Sequence, residues 1–438
     1  MRSNPVSPSQ ASDVLAAFGV HPRYGFLPAT DPVRRLPDAF SPWEALADEL
    51  SEQLIAGTVR RAVRRLPRLD PAPLAAPGDL ARAMLLLSYF GHAYVWGDRE
   101  PVDRLPANLA VPWHAVAERL DRPPVLSYAS QALTNWRRLD AEGPVALGNI
   151  ALLEHFFGGV DEAWFIQVHI DIEGRAGPAM QAIVEAQEAA ARDDAGGLER
   201  CLGTIAGVLS QMLATLSRMG EQCDPYIFYT RIRPFVFAWK DNPALPHGLR
   251  YDGVAAYGGR PQAFRGSSGA QSSIVPSIHA ALGVSYASDP LQEHMLALRE
   301  YMPPGHRAFI THVERGPSIR AYVQRHGRAS PLVSMYDACL EGLYDFQAKH
   351  LEYAALFVHA QSPRGAGNPV ETGTGGTPFM RYLKKRRDEL VGYAVSPDGA
   401  SRGCPLRSGL SAQMTAEDTS TGARPPAPLH GGACTDAI

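Results

Sequence analysis

MYDACLEGLYDFQAKHLEYAALFVHA, residues Met335–Ala360, reads as one long amphipathic helix. Leu343, Phe346, His350, Ala354 and Phe357 recur every three or four residues, which stacks them on one face. An imidazole on that face is expected to be buried, and a buried polar group without a partner costs roughly 1–3 kcal/mol. Two readings of His350 follow. It is a core histidine bonded to a nearby carbonyl, or it is an axial ligand to a haem iron, for which neutral imidazole is the usual protein ligand.

Working outward, helix signals dominate. Helices are expected at Trp43–Ala56, Thr58–Arg65, Asp79–Trp96 and Trp113–Leu120. Further helices are expected at Tyr128–Leu139, Val145–Phe157, Glu162–Glu173, Ala179–Asp193 and Gly196–Gly220. Ser41 before Pro42 suggests an N-cap with proline in the first turn. Pro67–Pro77 and Pro101–Pro112 read as irregular connectors, and Pro123-Pro124 as a stop. Strand-like alternation is scarce, with a short hairpin expected near Arg250–Gly253. The fold class is therefore all-α. We expect a small, mainly helical N-terminal domain over 1–122 and a larger helical domain over 123–395. Gln361–Thr377 reads as a glycine-rich lid loop, and residues 396–438, rich in Pro, Gly, Ser and Thr, as a disordered tail.

Composition narrows the function classes. The net charge of −3 argues against a nucleic-acid binder. Five scattered cysteines, with no CxxC pair, suggest neither a zinc site nor a disulfide framework, and fit reduced thiols. The polar N-terminus lacks the apolar run of a signal peptide, and the longest greasy run, Ala83–Trp96, is too short to span a membrane. A cytoplasmic protein without a membrane partner is expected. There is no carboxylate pair or nucleophile triad to suggest hydrolysis.

Several blocks of the chain belong together. They are LSYASQALTNW (Leu126–Trp136), FYTRIRPFVFAWKDNPALPHGLRYDGV (Phe228–Val254), FRGSSGAQSS (Phe264–Ser273), REYMPPGHRAFI (Arg299–Ile310), the helix carrying His350, and ETGTGGTPFM (Glu371–Met380). With YGFLP (Tyr24–Pro28), AYVWG (Ala93–Gly97) and NLAVPW (Asn108–Trp113), this ordered set resembles the indoleamine 2,3-dioxygenases, haem enzymes that open the indole ring of tryptophan. The resemblance runs from about Val20 to about Leu390.

The resemblance implies haem b as cofactor, with His350 as the proximal iron ligand and the opposite face open to dioxygen. It implies that Arg233 grips the substrate carboxylate, a task suited to a planar guanidinium fork. Tyr128, Phe228 and Tyr229 match positions lining the indole pocket, with Tyr229 standing where phenylalanine is usual. Gln131 replaces a smaller residue. Ser267, Ser268 and Gly269 match a small-residue loop at the haem edge, and Thr374 matches a threonine touching substrate from the lid. His169 in WFIQVHIDIE stands where the best-known members have serine. It is expected on the distal side, donating to dioxygen, contacting the indole N–H, or ligating iron as a sixth ligand, unless it is simply a helix histidine satisfied by backbone. His279 stands at a position often acidic in the family, with no role assigned.

The implied reaction inserts both atoms of dioxygen across the indole C2–C3 bond, turning L-tryptophan into N-formylkynurenine. His169, Ser268 and Thr374 would steer it, an electron donor would keep the iron ferrous, and the enzyme would be a monomer. Two alternatives stand beside this. One is a related haem enzyme acting on a modified indole in secondary metabolism. The other is a six-coordinate haem protein for binding or sensing, with His350 and His169 both on iron.

Overall fold

The computed structural model describes residues 8–286, 288–326, 330–364 and 379–396. Among these the architecture is mostly helical. In chain order the helices are α1 (Pro8–Ala17), α2 (Ser41–Ile55), α3 (Val59–Arg65), α4 (Pro77–Trp96), α5 (Ala107–Arg119), α6 (Val160–Arg175) and α7 (Gly177–Ala191). They continue with α8 (Ala195–Leu216), α9 (Ile274–Ala281), α10 (Pro290–Leu298), α11 (Pro304–Arg315), α12 (Ile319–Gln324), α13 (Pro331–Phe357) and α14 (Phe379–Glu389).

The centre of the larger half is α8, which packs against both α7 and α13. Leu198, Leu202, Ile205, Leu209, Met212 and Leu216 fall on its buried stripe at three- and four-residue steps. Each such side chain contributes roughly 1.5–3 kcal/mol on full burial. Asp194 starts α8 by accepting from the Gly197 N–H, and Ser330 starts α13 by accepting from Leu332, ahead of Pro331 in the first turn.

A second core surrounds Trp43, Tyr89, Phe90 and Trp113, and it also takes in Phe235, Trp239, Tyr251 and Tyr301. Its α4 is apolar nearly all round, and 15 of its 20 residues are buried, so this is an interior helix. A Cβ on Gly91 would strike the Trp113 ring, so glycine is what lets α5 approach α4 there. His92 joins this core to the site segments. Its Nδ1 lies 2.7 Å from the Phe235 carbonyl, and its Nε2 accepts from the Leu126 N–H at 3.1 Å.

Several expectations need correction. Val145–Phe157 is not a helix: Ile150–Ala151 pairs antiparallel with Arg137–Arg138. Gly148 takes a φ of +92°, while Asn149 and Asn135 satisfy the surrounding backbone with their amides. Tyr128–Leu139 is a π-helical turn, Ala129–Leu133, that runs out into that strand. Arg250–Tyr251 forms no hairpin and pairs in parallel with Arg104–Leu105. Pro112 lies inside α5, so the supposed connector is half helix. Ser41 begins α2 without capping it by its side chain. Of the loop expected over Gln361–Thr377, residues 361–364 belong to a 3-10 turn, His359–Arg364, and the rest lies outside the described residues, as does the tail from residue 397.

Candidate functional site

Two π-helical turns, Ala129–Leu133 and Phe228–Ile232, carry or adjoin five of the expected site residues. A π-turn widens the helix by one residue and occurs disproportionately at functional sites, because it redirects side chains that an α-helix would stack. Tyr128 stands immediately before the first turn, and Gln131 lies within it; both are buried. Phe228 and Tyr229 lie within the second, which Arg233 directly follows; all three are buried.

On α6, Phe165, His169 and Glu173 are spaced by four and form one stripe. The His169 ring sits 4.7 Å from that of Phe165 and 5.9 Å from that of Tyr128. Phe165 meets Phe228 at 4.7 Å, and Phe228 meets Phe357 of α13 edge-on at 5.6 Å. A continuous run of rings therefore joins the first π-turn, α6, the second π-turn and α13. Flat apolar walls of this kind suit an aromatic guest.

His169 Nδ1 lies 2.7 Å from the Phe165 carbonyl. A carbonyl only accepts, so Nδ1 holds the proton. Burial lowers the pKa of this imidazole, with the Phe165 bond opposing that shift, which leaves a neutral ring whose Nε2 is a lone pair.

His350 departs from the expectation of burial. From Tyr344 to Leu356 no residue of α13 is buried, and His350 is itself exposed. It makes no hydrogen bond to another described residue. Enough protein still surrounds it that desolvation, helped by the repulsion the two imidazoles would feel if both were protonated, lowers its pKa to about 4. Leu343 and Phe357 are buried, and between them Phe346 and Tyr353 pack only partly against the core, so the apolar stripe continues where burial is incomplete. A neutral, reachable imidazole flanked by half-buried Phe346 and Ala354 has the donor and the surroundings that a haem iron requires. The residues present therefore fit the group.

Arg233 is 1 % exposed, and its guanidinium lies over the rings of Tyr229, at 5.6 Å, and Phe237, at 5.2 Å. Burial lowers its pKa to about 10, so it remains a cation at neutral pH. Sequence reading passed over Phe237. Also passed over was a network behind Tyr128: the Gln271 side chain accepts from the Tyr128 N–H at 2.9 Å, and Ser272 donates to the buried Glu173 at 2.6 Å. The four-residue spacing of Phe165, His169 and Glu173 was the available signal for the last of these.

The 266–272 loop is only partly drawn in. Ser267 is buried, Ser268 is half-buried and Gly269 is exposed. Ser268 Oγ accepts from the Ala270 N–H at 3.3 Å and starts a 3-10 turn, leaving its own proton to donate. Thr374 lies outside the described residues. Two surface depressions, of about 440 and 560 Å³, are lined by residues unrelated to these, around Gln181 and His247. His279 Nε2 lies 3.1 Å from the Tyr286 hydroxyl and 3.2 Å from the Gln347 amide, one turn before His350 on α13.

The model of the family described as indoleamine 2,3-dioxygenase matches residues 14–391. The chain belongs to that family. It is 32 % identical to human indoleamine 2,3-dioxygenase 2 over 398 residues, spanning 88 % of this chain and 96 % of the relative. Identity to indoleamine 2,3-dioxygenase 1 of Rattus norvegicus is 34 % over 403 residues, spanning 89 % and 98 %. A protein of Fusarium equiseti named 6-hydroxytryptophan 2,3-dioxygenase is 30 % identical over 386 residues, spanning 84 % and 94 %. As an indoleamine 2,3-dioxygenase family member the chain is an oxidoreductase, a haem-dependent dioxygenase of tryptophan catabolism. No helix among the described residues is long and apolar enough to cross a membrane.

Proposed function

We propose that this enzyme opens the indole ring of L-tryptophan to give N-formylkynurenine, with haem b held by His350. The observation that carries the reading is the reachable, neutral His350 imidazole within electrostatic range of His169, beside the wall of rings. When bound, the haem supplies the dioxygen chemistry that places two oxygen atoms across the indole C2–C3 bond.

The chain's own residues bind and orient. Arg233 takes the substrate carboxylate in a charge-assisted pair, strengthened by its burial. Phe165, Phe228, Tyr229 and Tyr128 shape the space for the indole, with Gln131 narrowing it. His169 presents a lone pair at Nε2, so in this tautomer it accepts the indole N–H and does not donate to oxygen. Ser267, Ser268 and Gly269 line the approach, Ser268 offering a hydroxyl proton to an anionic group. Thr374 touches substrate, as the family resemblance implies. The enzyme acts as a cytoplasmic monomer, its iron kept ferrous by a cellular electron donor.

The test is to supply haem-loaded ferrous protein with oxygen and L-tryptophan and follow N-formylkynurenine in the near ultraviolet. No product from fully loaded protein sinks the assignment. A modified indole is a second reading, favoured by Gln131, Tyr229 and His169 in the pocket and by the name of the Fusarium relative; a panel of ring-substituted tryptophans separates the two. The free Nε2 of His169 also keeps open a six-coordinate haem, and a low-spin bis-histidine spectrum that persists with tryptophan present would favour it.

A further inference from the structure

Outside the site, one group of buried cations has no role in the chemistry above. Arg122 follows the end of α5 and is 8 % exposed, yet among the described residues its side chain makes one hydrogen bond, a long contact of 3.4 Å to the Ser127 hydroxyl. The neighbouring Asp121, at a φ of +49°, reaches across to pair with Arg307 in the first turn of α11. Arg307 also contacts the Glu300 carbonyl at 3.4 Å. Beside it His306 is 7 % exposed, packs on the Phe26 ring at 4.8 Å, and has a buried Nδ1 with no hydrogen-bond partner among the described residues.

These groups disfavour one another. Burial and the charge of Arg307 lower the Arg122 pKa to about 10, and burial and Arg122 lower that of His306 to about 3. The single carboxylate of the group, on Asp121, has a largely exposed side chain and is engaged with Arg307. A buried guanidinium answered by one hydroxyl is a costly arrangement unless something anionic completes it. The available donors are the Arg122 fork, the Ser127 hydroxyl, and an imidazole nitrogen whose tautomer no described partner fixes. They approach from two chain segments, and the first turn of a helix adds its positive end.

We propose that Arg122, Ser127 and His306, with the cation of Arg307 beside them, form a binding site for a phosphoryl oxyanion, either inorganic phosphate or the phosphoryl group of a small metabolite. Several donors of different kinds, drawn from two chain segments, suit a tetrahedral anion better than a two-oxygen carboxylate. The site communicates with the pocket through the chain itself: the Ser127 carbonyl accepts from Ser130 and Gln131, and Tyr128 follows it directly. An occupied site would therefore brace the first π-turn. The proposal is independent of which indole the enzyme opens.

The experiment is thermal unfolding of the haem-loaded full chain at neutral pH in low-millimolar inorganic phosphate, ribose 5-phosphate or acetate, against chloride of equal ionic strength. Phosphate is expected to raise the wild-type midpoint by roughly 3 °C, with acetate inert. Ribose 5-phosphate acting as well would assign the phosphoryl group, and phosphate acting alone the free ion. Arg122→Leu should lose this response and unfold no earlier than wild type in chloride, since it removes a strained cation. His306→Gln serves as a second variant and should weaken the response. A wild type indifferent to phosphate overturns the proposal whatever the variants do. So does an equal response to acetate, or an undiminished response in a folded Arg122→Leu protein.

Discussion

His169 on α6 and His350 on α13 stand within electrostatic reach of each other, close enough that the charge of one lowers the pKa of the other. The two imidazoles are not equivalent. His169 spends Nδ1 on its own helix, while His350 makes no hydrogen bond among the described residues. A ring tied at one nitrogen is held to orient a neighbour, and a ring free at both can be taken up by a metal. The proposed roles, His350 to the iron and His169 to the substrate side, rest on that asymmetry.

His350→Ala should purify with little or no haem. The Soret band and the pyridine haemochrome content measure this directly. Imidazole added to the variant should restore part of the bound haem, which would separate a lost ligand from a lost fold. Full haem content without imidazole would contradict the assignment.

If His169 Nε2 accepts the indole N–H, then His169→Ala removes one hydrogen bond whose partner is desolvated, about 1–3 kcal/mol or roughly 5- to 150-fold in kcat/KM for L-tryptophan. With 1-methyl-L-tryptophan, which has no N–H to give, wild type and variant should differ little. Equal losses on both substrates would mean that His169 acts elsewhere.

Arg233→Leu tests the carboxylate grip. Removing one partner of a buried charge pair costs about 2–5 kcal/mol, so kcat/KM for L-tryptophan should fall at least roughly 30-fold. Tryptamine, lacking the carboxylate, should be affected far less. The variant should stay folded, because leucine fills an interior place between Tyr229 and Phe237 without a charge to solvate. A parallel fall for tryptamine would count against the role.

Long helices were legible because periodicity and burial agree in them: the stripe read over Gly196–Gly220 became α8, and that over Met335–Ala360 became α13. Val145–Phe157 failed because its apolar residues report burial, and nothing in their spacing reports Gly148 at a positive φ or the distant Asn135 side-chain oxygen that accepts from the Leu153 and Glu154 N–H groups. The pairing of Arg104–Leu105 with Arg250–Tyr251 joins residues some 146 apart in sequence and leaves no local trace. In the site, the residue types were readable one by one. The two π-turns were not, since they arise from packing and not from intrinsic propensity. The exposure of His350 was also hidden: a helix face shows which residues align, and not where along its length the protein stops covering it.

His92 gives a pH test read in stability and not in activity. It is fully buried between the Phe235 carbonyl and the Leu126 N–H, and burial lowers its pKa to about 3 from an ordinary 6.5. Above pH 6.5 neither folded nor unfolded chains protonate it, and it adds no pH dependence. Below that, unfolded chains take up a proton the native state refuses, so stability falls by about 1.4 kcal/mol per pH unit until about pH 3. Buried Glu154 and Glu162, raised to about 7, act in the opposite sense between about pH 4.5 and 7, because there the native state holds protons that the unfolded chain has lost. Total stability therefore hides the histidine, and a difference measurement reveals it. His92→Gln keeps a donor for Phe235 and an acceptor for Leu126 but cannot titrate. Urea unfolding of both proteins should show the variant gaining on wild type by about 2 kcal/mol from pH 6.5 to 5. A difference that stays constant with pH would mean that His92 is protonated in the fold.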